Sequence, residues 1–138
     1  MEKYLQKLKE NKLKLTPRRR AVIRLFMESC VRLKPLEVYK ALKRKIKPLG
    51  LPTVYRILDE LCKIGIINRL QTDDGQLCYV FRVSPNEHLH YFLCRKCNKV
   101  KEVTHCNFKD ISRYIEKKLS AKVEAHQLQV EGLCSECK

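Results

Sequence analysis

The chain has 138 residues, with 30 lysines and arginines against 15 acids and a formal net charge of +15. An excess of that size predicts a polyanionic partner and argues against an ion-paired surface, in which acids rise alongside bases. No apolar run approaches the roughly 20 residues that a bilayer crossing needs, and the N-terminal MEKYLQKLKENK lacks a signal-peptide apolar region, so a cytoplasmic protein with no membrane segment is expected.

Residues 3–12 read as a charged first helix. Thr16-Pro17 is a helix start, threonine at the N-cap and proline at the first helical position, and the periodic Ala21, Val22, Leu25 and Phe26 carry the second helix over about 17–28. Its Arg18-Arg19-Arg20 run suits phosphate contacts or is a solvated basic face. Pro35 opens a third helix, in which Val38, Tyr39, Leu42 and Ile46 recur until Pro48 and Gly50 stop it. Leu51-Pro52-Thr53 begins a fourth, with Val54, Ile57, Leu58, Leu61 and Ile64 as its apolar stripe and Gly65 as its end. The opposite face carries Thr53, Tyr55, Arg56, Glu60 and Lys63. A helix in the major groove presents such residues to base edges and phosphates, which makes Thr53, Tyr55 and Arg56, together with Arg19, the candidate DNA contacts. Residues 66–71 and 76–83 then read as strands joined by Thr72-Asp73-Asp74-Gly75, whose Asp-Gly is a hairpin signal. Helices followed by a hairpin describe a winged helix-turn-helix over residues 1–83.

Residues 84–138 read as a second, α/β domain, making the whole α+β. Residues 88–93 look like a strand, and alternation places His88 and His90 on one face. A strand over 100–103 is followed by a helix with Phe108, Ile111, Ile115 and Leu119 on one side. A last strand over 122–131 puts His126, Leu128 and Val130 on a shared face. His126 is then either a hydrogen-bonded core residue or a ligand beside His88 and His90. Imidazole suits zinc, iron, cobalt, nickel and copper, so the donors alone do not select the ion.

Two Cys-x-x-Cys pairs, Cys94/Cys97 and Cys134/Cys137, offer four thiolates for a tetrahedral zinc site. A disulfide pair or a redox motif is the rival reading, but the other four cysteines are scattered, as in a reducing compartment, and no βαβ context surrounds either pair. Four cysteines close the zinc shell and leave no position for water, and no His-Glu-x-x-His occurs, so no enzyme is expected. A winged helix with purely structural zinc, binding nucleic acid constitutively, is the alternative to a metal-gated regulator.

The order of Leu15-Thr16-x-x-Arg19, Pro52-Thr53-Val54-Tyr55-Arg56, His88-x-His90, Cys94-x-x-Cys97, His126 and Gly132-x-Cys134-x-x-Cys137 resembles the ferric uptake regulator family over nearly the whole chain. The resemblance implies a homodimeric, metal-dependent transcriptional repressor that binds palindromic double-stranded operators, with an N-terminal winged helix and a C-terminal dimerisation domain. It implies structural Zn²⁺ at the four cysteines and a second divalent ion, Fe²⁺ or Zn²⁺, in a regulatory site. The usual inter-domain sensory histidines have no counterparts, since Leu89 and Tyr91 stand there and only Glu102 is kept. His88, His90 and His126 match the family's dimerisation-domain site, whose acidic ligand falls at Lys109, next to Asp110. Either that site senses alone, completed by Asp110, Glu102 or His105, or a one-residue insertion has moved His88 and His90 into the sensory roles. Cys78 is read either as a further thiolate ligand or as a small buried side chain of the wing.

Overall fold

The computed structural model describes residues 1–72, 74–84 and 88–138, in two compact units, Met1–Arg82 and Val83–Lys138.

The first unit packs four helices, α1 (Glu2–Glu10), α2 (Pro17–Ser29), α3 (Pro35–Leu42) and α4 (Leu51–Lys63), with the antiparallel hairpin β1 (Ile67–Gln71) and β2 (Leu77–Phe81). The Thr16 hydroxyl accepts the Arg19 N–H at 3.2 Å and caps α2, while Glu37 reaches back to the Lys34 N–H at 2.7 Å and caps α3. α3 stops at Leu42 rather than running on to Pro48. The exposed cations Lys43, Arg44 and Lys45 follow, and both Lys45 and Ile46 turn their N–H groups back to the Leu42 carbonyl. α4 ends in a Schellman motif at Gly65 (φ +69°), with the Gly65 N–H on Cys62 and the Ile66 N–H on Leu61. Leu8, Val22, Ile23, Phe26, Val38, Val54, Leu58, Leu61 and Tyr79 form the core of this unit. Leu33 exchanges both backbone hydrogen bonds with Tyr79 at 2.9 Å, adding a one-residue bridge to the hairpin's β2 edge. Asp73, in the expected turn, lies outside the described residues.

Arg19 is expected among the DNA contacts, but its guanidinium is already committed. Its Nε and Nη2 donate to Glu60 of α4 at 3.0 and 2.7 Å, and its Nη1 donates to the Lys14 carbonyl at 2.7 Å. The pair is largely shielded, with side chains 15% and 23% exposed, so Arg19 straps α2 to α4. Glu60→Ala, which leaves the cation unpaired, is expected to destabilise this unit by about 1–2 kcal/mol, less than a fully buried pair because water still reaches the site. A denaturant midpoint unchanged by Glu60→Ala would remove the strap.

The second unit is a three-stranded sheet, order β4-β3-β5, from β3 (His90–Cys94), β4 (Val100–Val103) and β5 (Gln129–Gly132), with α5 (Lys109–Leu119). β4 runs antiparallel to β3, His90 opposite Val103, and β5 runs parallel to β3, Cys94 opposite Gly132. β3 begins at His90, so His88 lies outside the strand expected for it. The last strand is also shorter than the expected 122–131. Gln129 pairs with Tyr91 near the start of β3, and residues before Leu128 run past the N-terminal end of that strand. His126 therefore sits on the approach to β5 and not within a strand.

No residue of α5 is buried; Ile111, Tyr114 and Leu119 are 54%, 66% and 69% exposed. Among the described residues of this unit few are buried: His90, Tyr91, Leu93, Cys94 and Cys134. A domain of this size with so little interior needs a further source of stability, such as metal or a second subunit.

Candidate metal centres

Central in its sheet, β3 has a cluster of ligating side chains at each end. Its C-terminal end runs into the first cysteine knuckle: the Cys94 N–H donates to the Lys99 carbonyl at 2.9 Å and the Asn98 N–H to the Cys94 carbonyl at 3.0 Å, with Asn98 at φ +61°. Parallel pairing makes β5 end alongside, two residues before Cys134, which is how a cysteine 40 residues on arrives at Cys94. The ligating atoms of Cys94, Cys97, Cys134 and Cys137 lie within 4.8 Å of one another. Zinc–sulfur bonds of about 2.3 Å require tetrahedral edges of about 3.8 Å, and Cys97 Sγ stands 3.7 Å from Cys134 Sγ. Backbone N–H groups of Cys97 and Cys134 point at Cys94 Sγ and lower its thiol pKa to about 6, favouring the thiolate that a metal requires. An exposed Lys99–Glu136 ion pair ties the two knuckles together. The donor set and spacing fit Zn²⁺.

At the N-terminal end of β3, antiparallel pairing brings the loop after β4 to His90, and parallel pairing brings the approach to β5 there too. The result is a second cluster of His88, His90, Cys106 and His126, again with ligating atoms within 4.8 Å of one another. His126 Nε2 is 3.3 Å from His90 Nε2 and 3.1 Å from Cys106 Sγ. The imidazoles of His88 and His90 meet edge to face at 4.6 Å. Phe108 stacks on His126 at 3.8 Å and 9°, fixing the plane of that ring. His90 is 1% exposed, and burial, then the neighbouring His88 and His126, push its pKa down. The Leu128 N–H donates to His90 Nδ1 at 3.2 Å. An imidazole that ligates through Nε2 carries its proton on Nδ1, so Leu128 must release this contact when His90 acts as a ligand.

Two expected acidic ligands are elsewhere. Glu102 pairs in register with Tyr91, so strand alternation puts it on the face opposite His90, and its carboxylate accepts the Val83 and Ser84 N–H groups at 2.7 and 3.0 Å. Asp110 points into water on the first turn of α5, 3.8 Å from Arg113, with its side chain 78% exposed. His105 is exposed and Cys78 is buried in β2, and neither joins a cluster among the described residues. Cys106 takes the place foreseen for a carboxylate. Its only sign in the sequence is a cysteine just after a strand that follows His88-x-His90.

On α4, Val54, Ile57, Leu58 and Leu61 are buried, whereas Tyr55 is 46% exposed, Arg56 is exposed and Thr53 is half-buried at the first turn. The helix thus presents a polar N-terminal face. Among the described residues no helix is long and apolar enough to cross a membrane.

The model for the "Ferric uptake regulator family" matches residues 10–131. The chain is 30% identical over 139 residues to the ferric uptake regulation protein of Bacillus subtilis (strain 168), covering 99% of this chain and 93% of that protein. It is 27% identical over 139 residues to the peroxide-responsive repressor PerR of Staphylococcus epidermidis (strain ATCC 12228 / FDA PCI 1200), covering 100% of this chain and 90% of that protein. Among solved structures it is similar to the Helicobacter pylori ferric uptake regulator Fur, described as having three functional metal binding sites. That likeness has a TM-score of 0.66 and 28% identity, covering 99% of this chain and 89% of the other.

Proposed function

The chain belongs to the ferric uptake regulator family, and from that premise we propose that α4 reads DNA while the unit Val83–Lys138 holds the metals and the second subunit. It is a metal-responsive, DNA-binding transcriptional regulator, acting as a homodimer on a palindromic operator. The relatives carry the names of regulators, and a cytoplasmic location is the reading that a DNA partner supports. The observation that carries the reading is a sheet with a metal-competent cluster at each end of one strand. β3 rises about 3.3 Å per residue, so clusters centred on His90 and Cys94 are distinct centres roughly 13 Å apart. Cys94, Cys97, Cys134 and Cys137 are assigned to structural zinc, which supplies folding energy. His88, His90 and His126 are assigned to the regulatory ion.

The second copy is assigned to the apolar surface of the same unit. Val130 on β5, an edge strand of the sheet, and Leu128 and Leu133 flanking it are 43%, 45% and 47% exposed, and α5 adds Ile111, Tyr114 and Leu119. An exposed apolar edge of that kind is stable when paired. Two-fold pairing would set two copies of α4 against two half-sites.

Gating requires metal and operator to strengthen each other's binding by the same factor, commonly about 5–150-fold. The test is operator affinity at one fixed salt concentration, with metal content per chain measured before and after mild chelation, because phosphate contacts make affinity steeply salt-dependent. One retained zinc, and a second removable ion whose loss weakens operator binding, is the expected result. Unchanged affinity would mean constitutive binding. Within this reading Arg56→Ala weakens operator binding by about 1–3 kcal/mol if Arg56 contacts a base. An equal loss on every DNA sequence reassigns it to phosphate.

A further inference from the structure

We propose that Cys106 is the fourth ligand of the His88, His90 and His126 cluster, and that its thiolate makes this centre select a thiophilic tetrahedral cation, Zn²⁺, over Fe²⁺ and Mn²⁺. The inference rests on the assignment of that cluster to the regulatory ion.

The geometry is that of a four-cornered shell. Zinc–nitrogen bonds of 2.0–2.1 Å require nitrogen edges of about 3.3 Å, and a mixed nitrogen–sulfur edge of about 3.5 Å. His90 and His126 stand 3.3 Å apart at Nε2, and Cys106 Sγ lies 3.1 Å from His126 Nε2, slightly inside the mixed edge. A thiol hydrogen-bonded to one imidazole would account for the second distance alone. It does not account for the donor atoms of His88 and His90 lying within 4.8 Å of those of His126 and Cys106.

The donor chemistry then selects the ion. Manganese and magnesium favour carboxylate, carbonyl and water oxygens, and thiolate with imidazole favours zinc. No carboxylate joins this cluster among the described residues: Glu102 is held by two backbone amides on the other face of the sheet, and Asp110 is in water. Four protein ligands also close a tetrahedral shell, the arrangement that zinc accepts and six-coordinate ions do not. Cys106 lies between β4 and Phe108, whose ring stacks on His126, the imidazole that Cys106 Sγ meets. An open cavity lined by His88, Cys106, Phe108, Lys109 and His126 gives the ion a path from solvent.

The test uses the full-length protein with its four-cysteine site filled with zinc. Cobalt(II) is titrated in as a spectroscopic substitute, and a colorimetric chelator confirms that the resident zinc stays bound. The expected result is a second ion with the intense visible bands of tetrahedral cobalt and a near-ultraviolet thiolate-to-cobalt charge-transfer band. Cys106→Ser and Cys106→Ala remove the charge-transfer band. They also weaken zinc at this site by more than the roughly 10–100-fold that loss of an outer-shell partner costs. Cys106→Asp shifts the preference towards Mn²⁺. A second cobalt ion with no charge-transfer band in the unmodified protein, or a band that persists in both variants, overturns the role of Cys106 while leaving the regulatory site in place. No second ion at all overturns the regulatory site itself, and this inference with it.

Discussion

Cys97→Ser is expected to unfold residues 83–138 while the helices of the first unit stay folded. The reason is how little else holds the second unit together. Among its described residues the buried side chains are His90, Tyr91, Leu93, Cys94 and Cys134, and α5 buries none. Structural zinc contributes roughly 10–16 kcal/mol of apparent binding energy in small zinc domains, comparable to the whole stability of a typical domain, so that energy is the folding energy here. Cys97 Sγ faces Cys134 Sγ at 3.7 Å across the site, and a serine hydroxyl does not provide the thiolate. The knuckles also close the parallel β3–β5 pair, in which Arg95 N–H donates to the Gly132 carbonyl at 2.9 Å, so losing the metal frees the edge strand as well. Zinc content, size-exclusion mass and amide hydrogen exchange measure the outcome. A Cys97→Ser protein that stays dimeric, with β3 and β5 still protected, would falsify the structural-zinc assignment.

Phe26→Ala should do the reverse, costing the first unit about 3–5 kcal/mol and sparing the second. Phe26 is fully buried in α2 and belongs to the core cluster that also holds Val22, Ile23, Leu58 and Leu61. Removing the ring strips the transfer energy of a large apolar side chain and leaves a cavity that stiff, fully buried neighbours such as Val38 and Val54 cannot collapse to fill. The readout is a lowered unfolding midpoint for exchange-protected amides of α2 and α4, with zinc retained by the four cysteines. Loss of zinc in Phe26→Ala would show that the two units unfold as one. Taken with Cys97→Ser, the pair of variants tests whether each unit is stable by its own means, a hydrophobic core in one and a metal in the other.

Several features could be read directly from the chain because their signals are local. Thr16-Pro17 caps and opens α2 whatever surrounds it, Gly65 ends α4 through its own positive φ, and the period of Val54, Ile57, Leu58 and Leu61 decides which side of α4 is buried. Where local signals were followed too far, the elements came out shorter. α3 gives way to a turn after Leu42, where the Lys45 and Ile46 N–H groups share one carbonyl, and the final strand begins at Gln129 because β3 begins only at His90.

Alone, the sequence determined the order of helices and hairpin, the four cysteines spaced for zinc, the polar face of α4 and the basic charge that calls for DNA, since each depends on residues within a few positions of one another or on a simple count. Tertiary structure alone decided who meets whom. Which residues join His90 depends on β4 running antiparallel and β5 parallel to β3, and that brings in Cys106, 16 positions away, and His126, 36 away. Strand alternation in that register excludes Glu102, and the packing of α2 against α4 commits Arg19 to Glu60. Pairing partners and strand directions are set by the burial of whole faces over long separations, and a ligand shell inherits its members from that choice.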